Sequence, residues 1–244
     1  MCYTVNINLT RNELEKRFGA RFTEPSSYRP GYYFNAFDLP AMPVIPSEDP
    51  GSIGMLIWGL IPIWVKDAAS AEEIRRKTFN ARIETILEKP SFRGSVKSKR
   101  CLVLCRGFYE WQQREKGKIP YYIYLEGEPP IAMAGLYENW TDRETGEMIR
   151  TFTIITTAAN SLMEKIHNTK KRMPVILPHE NEEAWVDPDL KAEQAMKYLV
   201  PVGENKMASH TISKLITKSG VDKNVPELTA PFSYDDESLF PPGS

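Results

Sequence analysis

Cys2 is the residue of this chain best placed to do chemistry, because it stands directly behind the initiator methionine. A small residue there normally lets the methionine be removed, so the mature protein is expected to begin with a free cysteine. Its primary amine and thiol then sit on adjacent carbons, with ordinary pKa values of about 7.7–8.0 and about 8.5, and both nucleophiles are partly available near neutral pH. Such a pair captures aldehydes. The amine condenses to a Schiff base, and the tethered thiol closes on it as a five-membered thiazolidine. Accidental placement is the plain alternative, since start codons are followed by every residue type. Cys101 and Cys105, with a histidine, offer a different chemistry, a metal site. Zinc sites favour tight turns, closer cysteine spacing and four ligands, so no metal is expected.

The chain that must position these groups has 244 residues, with 31 basic against 32 acidic side chains. That length gives one large domain or two small ones, and the balanced charge announces no nucleic acid by itself. Local basic faces remain at Arg75, Arg76 and Lys77, at Lys97, Lys99 and Arg100, and at Lys165, Lys170, Lys171 and Arg172. Three cysteines argue against a disulfide framework and for a reducing, cytoplasmic location. The first ten residues lack the regions of a signal peptide, and no apolar run reaches the length of a membrane span.

Cys2 to Leu9 alternates as a strand, and Thr10 with Glu13 forms a capping box for a helix through Phe18, stopped by Gly19. Residues 24–50 mix proline, glycine and serine with five aromatics and read as a long ordered loop or a binding wall. Met55 to Trp64 reads as a buried strand turning at Pro62. Ser70 with Glu73 opens a second helix, and Asn80 to Leu87 looks like a third, ended by Pro90. Strands are expected at Arg100 to Cys105, Tyr121 to Leu125, Ile131 to Tyr137 and Thr151 to Thr157, with a hairpin turn at Glu126 to Pro130. Helical patterns follow at Asn160 to Ile166, Glu180 to Val186 and Leu190 to Leu199. The expected class is α+β, a curved, barrel-like, mostly antiparallel sheet flanked by short helices. It forms a single domain over residues 1–230, with an acidic tail over 231–244. No heptad or long apolar stripe calls for a second copy, so a monomer is expected.

Five motifs taken together are more specific than any one of them. They are Cys2; Asn80-Ala81-Arg82-Ile83-Glu84-Thr85; Gly107-Phe108-Tyr109-Glu110-Trp111; Ile166-His167 with Arg172-Met173-Pro174-Val175-Ile176-Leu177; and Trp58-Gly59-Leu60-Ile61-Pro62. In this order they resemble the SOS response-associated peptidase (SRAP) family, from residue 2 to about residue 228. The resemblance implies covalent processing of abasic sites in single-stranded DNA, the N-terminal cysteine condensing with the ring-opened aldehyde of the lesion to shield it as a thiazolidine crosslink. It implies that Glu110 relays protons, a task suited to a carboxyl with a raised pKa, and that His167 assists sugar ring opening. Asn80 is implied to line the cysteine pocket, and Arg82 and Arg172 to hold phosphates. Trp64 offers a stacking surface for a base, or a core tryptophan, and Lys170 and Lys171 can add phosphate contacts.

Three features depart from the commoner family pattern. Cys2-Tyr3-Thr4 replaces Cys-Gly-Arg, Asn168-Thr169-Lys170-Lys171 lengthens the loop between His167 and Arg172, and Cys105 stands where a small residue is usual. Two other activities fit the same residues. Cys2, His167 and Glu110 have the types of a thiol peptidase triad, which includes a peptidase removing only its own Met1. An iminium on the Cys2 amine also acidifies the neighbouring C2′ proton, which is the chemistry of an abasic-site lyase.

Overall fold

A computed structural model describes residues 2–127 and 130–234. The expected hairpin turn includes Glu128 and Pro129, which lie outside the described residues, as do residues 235–244 of the expected tail. In chain order the strands are β1 (Thr4–Asn6), β2 (Arg21–Phe22), β3 (Phe34–Asn35), β4 (Ala41–Pro46), β5 (Ser52–Trp58), β6 (Asn80–Arg82) and β7 (Arg100–Cys105). They continue as β8 (Gly107–Arg114), β9 (Gly117–Leu125), β10 (Ile131–Thr141), β11 (Met148–Ala158), β12 (Arg172–Pro174) and β13 (Met207–Thr211). The helices are α1 (Arg11–Phe18), α2 (Ala68–Arg75), α3 (Ser95–Ser98), α4 (Ser161–Ile166), α5 (His179–Val186) and α6 (Ala192–Ala195).

Five strands close a barrel. β11, β10, β7, β4 and β5 pair in that order, all antiparallel, and β5 then returns to β11 in parallel through Ile57 opposite Thr151 and Trp58 opposite Phe152. Closure removes the exposed edges of an open sheet, which is why β7 is buried at every position and β10 at nearly all of them. A second sheet, ordered β13, β9, β8, β1, β3, carries the amino-terminal strand in its interior. The α+β, barrel-like, mostly antiparallel class is therefore the one observed.

Local signals set several boundaries. Thr10 Oγ1 accepts from the Glu13 amide at 3.2 Å and the Glu13 carboxylate accepts from the Thr10 amide at 2.6 Å, so the capping box starts α1 as expected. Gly19, at φ +63°, ends it in the left-handed conformation that glycine tolerates. The second helix is capped three residues before the expected position. Asp67 is its cap, accepting from the Ser70 amide at 2.8 Å, and Ser70 lies inside α2.

One expected helix does not form. Asn80 to Leu87 is not a helix: Asn80–Arg82 forms β6, pairing in parallel with Ile154 to Thr156, and a 3-10 turn follows at Ile83–Thr85. A long buried strand with an open ladder beside it outweighs the weak helical propensity of three residues. The first residues of the expected tail are docked. The Phe232 amide donates to the Thr211 carbonyl at 2.8 Å, and the Tyr234 hydroxyl donates to the Ile212 carbonyl at 2.7 Å.

Candidate active site in a basic groove

Cys2 lies two residues before the start of β1 and is fully buried, at 0% exposure. Its carbonyl accepts from Asn80 Nδ2 at 2.9 Å, a contact that exists because β6 is seated on β11. Glu110 sits on β8, 4% exposed, opposite Tyr121 of β9. Gly107, three residues earlier, allows that pairing. A Cβ there would come within 2.5 Å of the Ile123 carbonyl and 2.7 Å of Tyr122 Oη, so only glycine lets the strands approach this closely.

His167 caps the carboxyl end of α4, whose start is fixed by Asn160 accepting from the Met163 amide at 2.9 Å. His167 Nδ1 lies 2.8 Å from the Arg172 carbonyl and 3.4 Å from the Arg172 amide, and the shorter contact is a hydrogen bond when Nδ1 carries the proton. In the neutral ring Nε2 then carries the lone pair, and it faces Glu110 Oε2 at 4.0 Å. That gap exceeds a direct hydrogen bond, but a third oxygen set off the line between them can reach both.

The electrostatics follow from burial. Desolvation pushes the Glu110 carboxyl up to about 7, so it is shared between acid and base forms at neutral pH. Burial lowers His167, keeping its ring neutral. Burial, followed by the adjacent Glu110 and then Cys105, pushes the Cys2 thiol well above its ordinary range. The sulfur is thus held as a thiol until a base relieves it, and the groups beside it can take or give a proton at pH 7.

Three depressions of about 470, 580 and 470 Å³ run together past this cluster. The first is lined by Trp64, Ser70, Glu73 and Ile74 and shares Lys77, Lys89 and Phe92 with the second. The second adds Arg76, Phe79, Asn80 and Arg82 and shares Tyr3 and Lys170 with the third, which contains Glu110, Trp111, Gln113, Lys118 and His167. The result is one groove with a basic rim, with Asn80 in the wall of its second depression, Glu110 and His167 in that of its third, and the buried Cys2 behind them. Arg76 and Lys77 are paired with Glu72 and Glu73 of α2, while among the described residues Arg82, Lys89 and Lys170 carry no such ion pair.

The residues singled out in the sequence do not all converge. Cys2, Asn80, Glu110 and His167 come together, and Arg82, Lys170 and Trp64 line the groove. Trp64 is 52% exposed, with its ring nitrogen donating to the Pro90 carbonyl at 3.1 Å, so it is a rim residue and not a core one. Lys171, at φ +48°, is exposed and pairs with Glu164 at 3.8 Å. Arg172 is buried, its guanidinium forked onto the Glu84 carboxylate at 2.6 and 3.0 Å and donating to the Thr156 carbonyl at 2.6 Å. Cys101 and Cys105 are buried in β7, and among the described residues no group of His, Cys, Asp and Glu is arranged to hold a metal ion.

Sequence reasoning missed Lys89 and Lys118, isolated lysines with no motif around them. It also gave Tyr3 no role, although the position beside Cys2 was the available signal.

Comparison with known proteins agrees with this geometry. The family model described as SOS response associated peptidase (SRAP) matches residues 1–219. The abasic site processing protein YoqW of Bacillus subtilis is 40% identical over 213 residues, covering 85% of this chain and 89% of that protein. The abasic site processing protein HMCES of Gallus gallus is 36% identical over 195 residues, covering 71% of this chain and 56% of that protein. A crystal structure of a protein from Bacteroides thetaiotaomicron superposes with a TM-score of 0.88 at 39% identity, covering 95% of this chain and all of that one. With its motifs gathered in one groove and relatives of this closeness across nearly its whole length, the chain belongs to the SOS response associated peptidase family.

Proposed function

We propose that this protein, once Met1 is removed, captures abasic sites in single-stranded DNA by forming a thiazolidine between Cys2 and the ring-opened sugar aldehyde. The observation that carries the reading is the packing of Cys2 with Asn80, Glu110 and His167, three residues that line a basic groove. The relatives named for abasic site processing support the substrate class.

The order of steps follows from the local electrostatics. With the thiol held protonated, the Cys2 amine attacks the aldehyde carbon first, forming a C–N bond. Glu110, near its own midpoint, protonates the departing hydroxyl, and water leaves the carbinolamine to give an imine. The thiol then adds across the C=N bond, its sulfur bonding to carbon and its proton passing to nitrogen. Neutral His167, with Nε2 toward the cluster, can accept a proton from an oxygen lying between it and Glu110. Asn80 holds the Cys2 carbonyl and so fixes the direction of the nucleophile. Rim cations supply a sequence-independent hold on the phosphates.

The test is denaturing gel electrophoresis of the Met1-free protein with single-stranded DNA bearing one abasic site. A denaturation-resistant band that requires both the lesion and Cys2 is expected, and an equal band from Cys2→Ala overturns the thiazolidine. A second reading, β-elimination from the imine with Glu110 taking the C2′ proton, draws on the same carboxyl, and strand scission on the same gel reports it. Self-removal of Met1 is read by mass spectrometry of Glu110→Gln and His167→Ala. Normal trimming in both assigns maturation to another enzyme.

A further inference from the structure

Tyr3 stands where the groove's two catalytic halves meet, lining the Arg82 side and the Glu110 side alike. Both its backbone and its ring are held in place. Its carbonyl accepts from the Ala36 amide at 2.8 Å, and the carbonyl before it, that of Cys2, accepts from Asn80. The ring lies against Phe37 at 5.2 Å and meets the buried Phe79 edge-on at 6.2 Å and 87°. Phe37 and Phe79 are themselves packed at 5.2 Å and 73°. The ring is thus half-buried and braced from behind, with part of it still forming the groove wall. One peptide group joins it to the nucleophile, so the Asn80 bond orients both together.

A nucleotide without its base leaves a gap the size of a planar ring in the stack of its neighbours, and an intact nucleotide leaves none. A flat, rigid ring fixed next to the attacking residue matches that gap. Stacking on such a ring is tolerant of sequence, because every base has a π-face.

We propose that Tyr3 is a gap-filling residue: its ring takes the place of the missing base, stacks on the adjacent one, and makes the protein prefer abasic over intact single strands before any bond forms. The proposal rests on the function proposed above and makes Tyr3 a determinant of specificity, while the covalent chemistry stays with Cys2.

The experiment separates the two. Equilibrium binding of the full, Met1-free chain is measured by fluorescence anisotropy on two single strands, one carrying a tetrahydrofuran abasic analogue, which has no aldehyde, and one carrying thymine at that position. The wild type is expected to favour the analogue. Tyr3→Ala is expected to lose about tenfold in affinity for the analogue and less than about twofold for the intact strand, while Tyr3→Phe keeps the preference. Tyr3→Leu retains apolar bulk without a planar face, and it is expected to behave like Tyr3→Ala; it decides the matter if the alanine variant does not fold. An unchanged preference in the leucine variant, or a wild type that binds both strands equally, overturns the gap-filling role alone. A wild type that binds neither strand overturns the proposed function as well.

Discussion

A carboxyl pushed up to about 7 leaves its mark on stability as well as on catalysis. Between its ordinary value of 4.5 and about 7, folded Glu110 keeps a proton that the unfolded chain has lost, so stability falls as pH rises through that window. Above it the full cost is on the order of 3 kcal/mol. Glu110→Gln removes the charge and is expected to raise the melting temperature relative to wild type at pH 8, with the gain vanishing toward pH 5. Crosslinking by the same variant is expected to drop about 10²-fold or more. Thermal melts at the two pH values, beside single-turnover gels, check both; a pH-independent difference in melting temperature would count against the raised pKa. The identities of Cys2, Glu110 and His167 were legible in the sequence, because reactive types in a recognisable order need no coordinates. Their protonation states were not, because burial by distant strands sets them.

Each side chain of the candidate site hangs on an element whose placement depends on another. β11 is the common support: β6 with Asn80 pairs on one side, and β12, whose first residue supplies the carbonyl that orients His167, pairs on the other. Arg172 bolts this arrangement together through Glu84 and Thr156. Arg172→Lys loses the planar fork and is expected to lower stability by about 1–3 kcal/mol, the lower part of that range applying because Glu84 is half exposed. Chemical denaturation measures the loss, and a reduced salt dependence of DNA binding in Arg172→Gln, which removes the charge, would instead make Arg172 a phosphate ligand. Gly107→Ala forces β8 away from Ile123 and Tyr122 and is expected to cost about 1–3 kcal/mol, with crosslinking falling alongside, read from the denaturant midpoint and the gel. The capping box of α1 was readable from Thr10 and Glu13 alone, since both partners lie within one turn. β6 was not, because its partner strand is more than seventy residues away in sequence and the local pattern of Asn80 to Leu87 speaks only for a helix.

At the scale of the whole molecule, a net charge of −1 conceals a groove whose rim carries Arg76, Lys77, Arg82, Lys89, Lys118 and Lys170. Two of these already face helix carboxylates, so four to six contribute. The logarithm of single-strand affinity is then expected to fall with the logarithm of salt at a slope of about −3 to −4. Titrations at several salt concentrations check it, and a slope near zero would remove the groove from DNA binding. Composition could not show this asymmetry, because lysines far apart in sequence meet only when the barrel closes; the barrel itself was foreshadowed by evenly spaced β-prone runs. The parallel pairings of β5 and β6 with β11 also set a timetable. Such long-range pairings form late, and the carbonyl that orients His167 is made long after Cys2 leaves the ribosome. In the nascent chain Cys2 is exposed, with the ordinary reactivity of a cysteine and without Asn80, Glu110 or His167 beside it. The completed fold buries it and holds its sulfur as a thiol, so folding shields this residue from stray carbonyl compounds in the same step that assembles the groups around it.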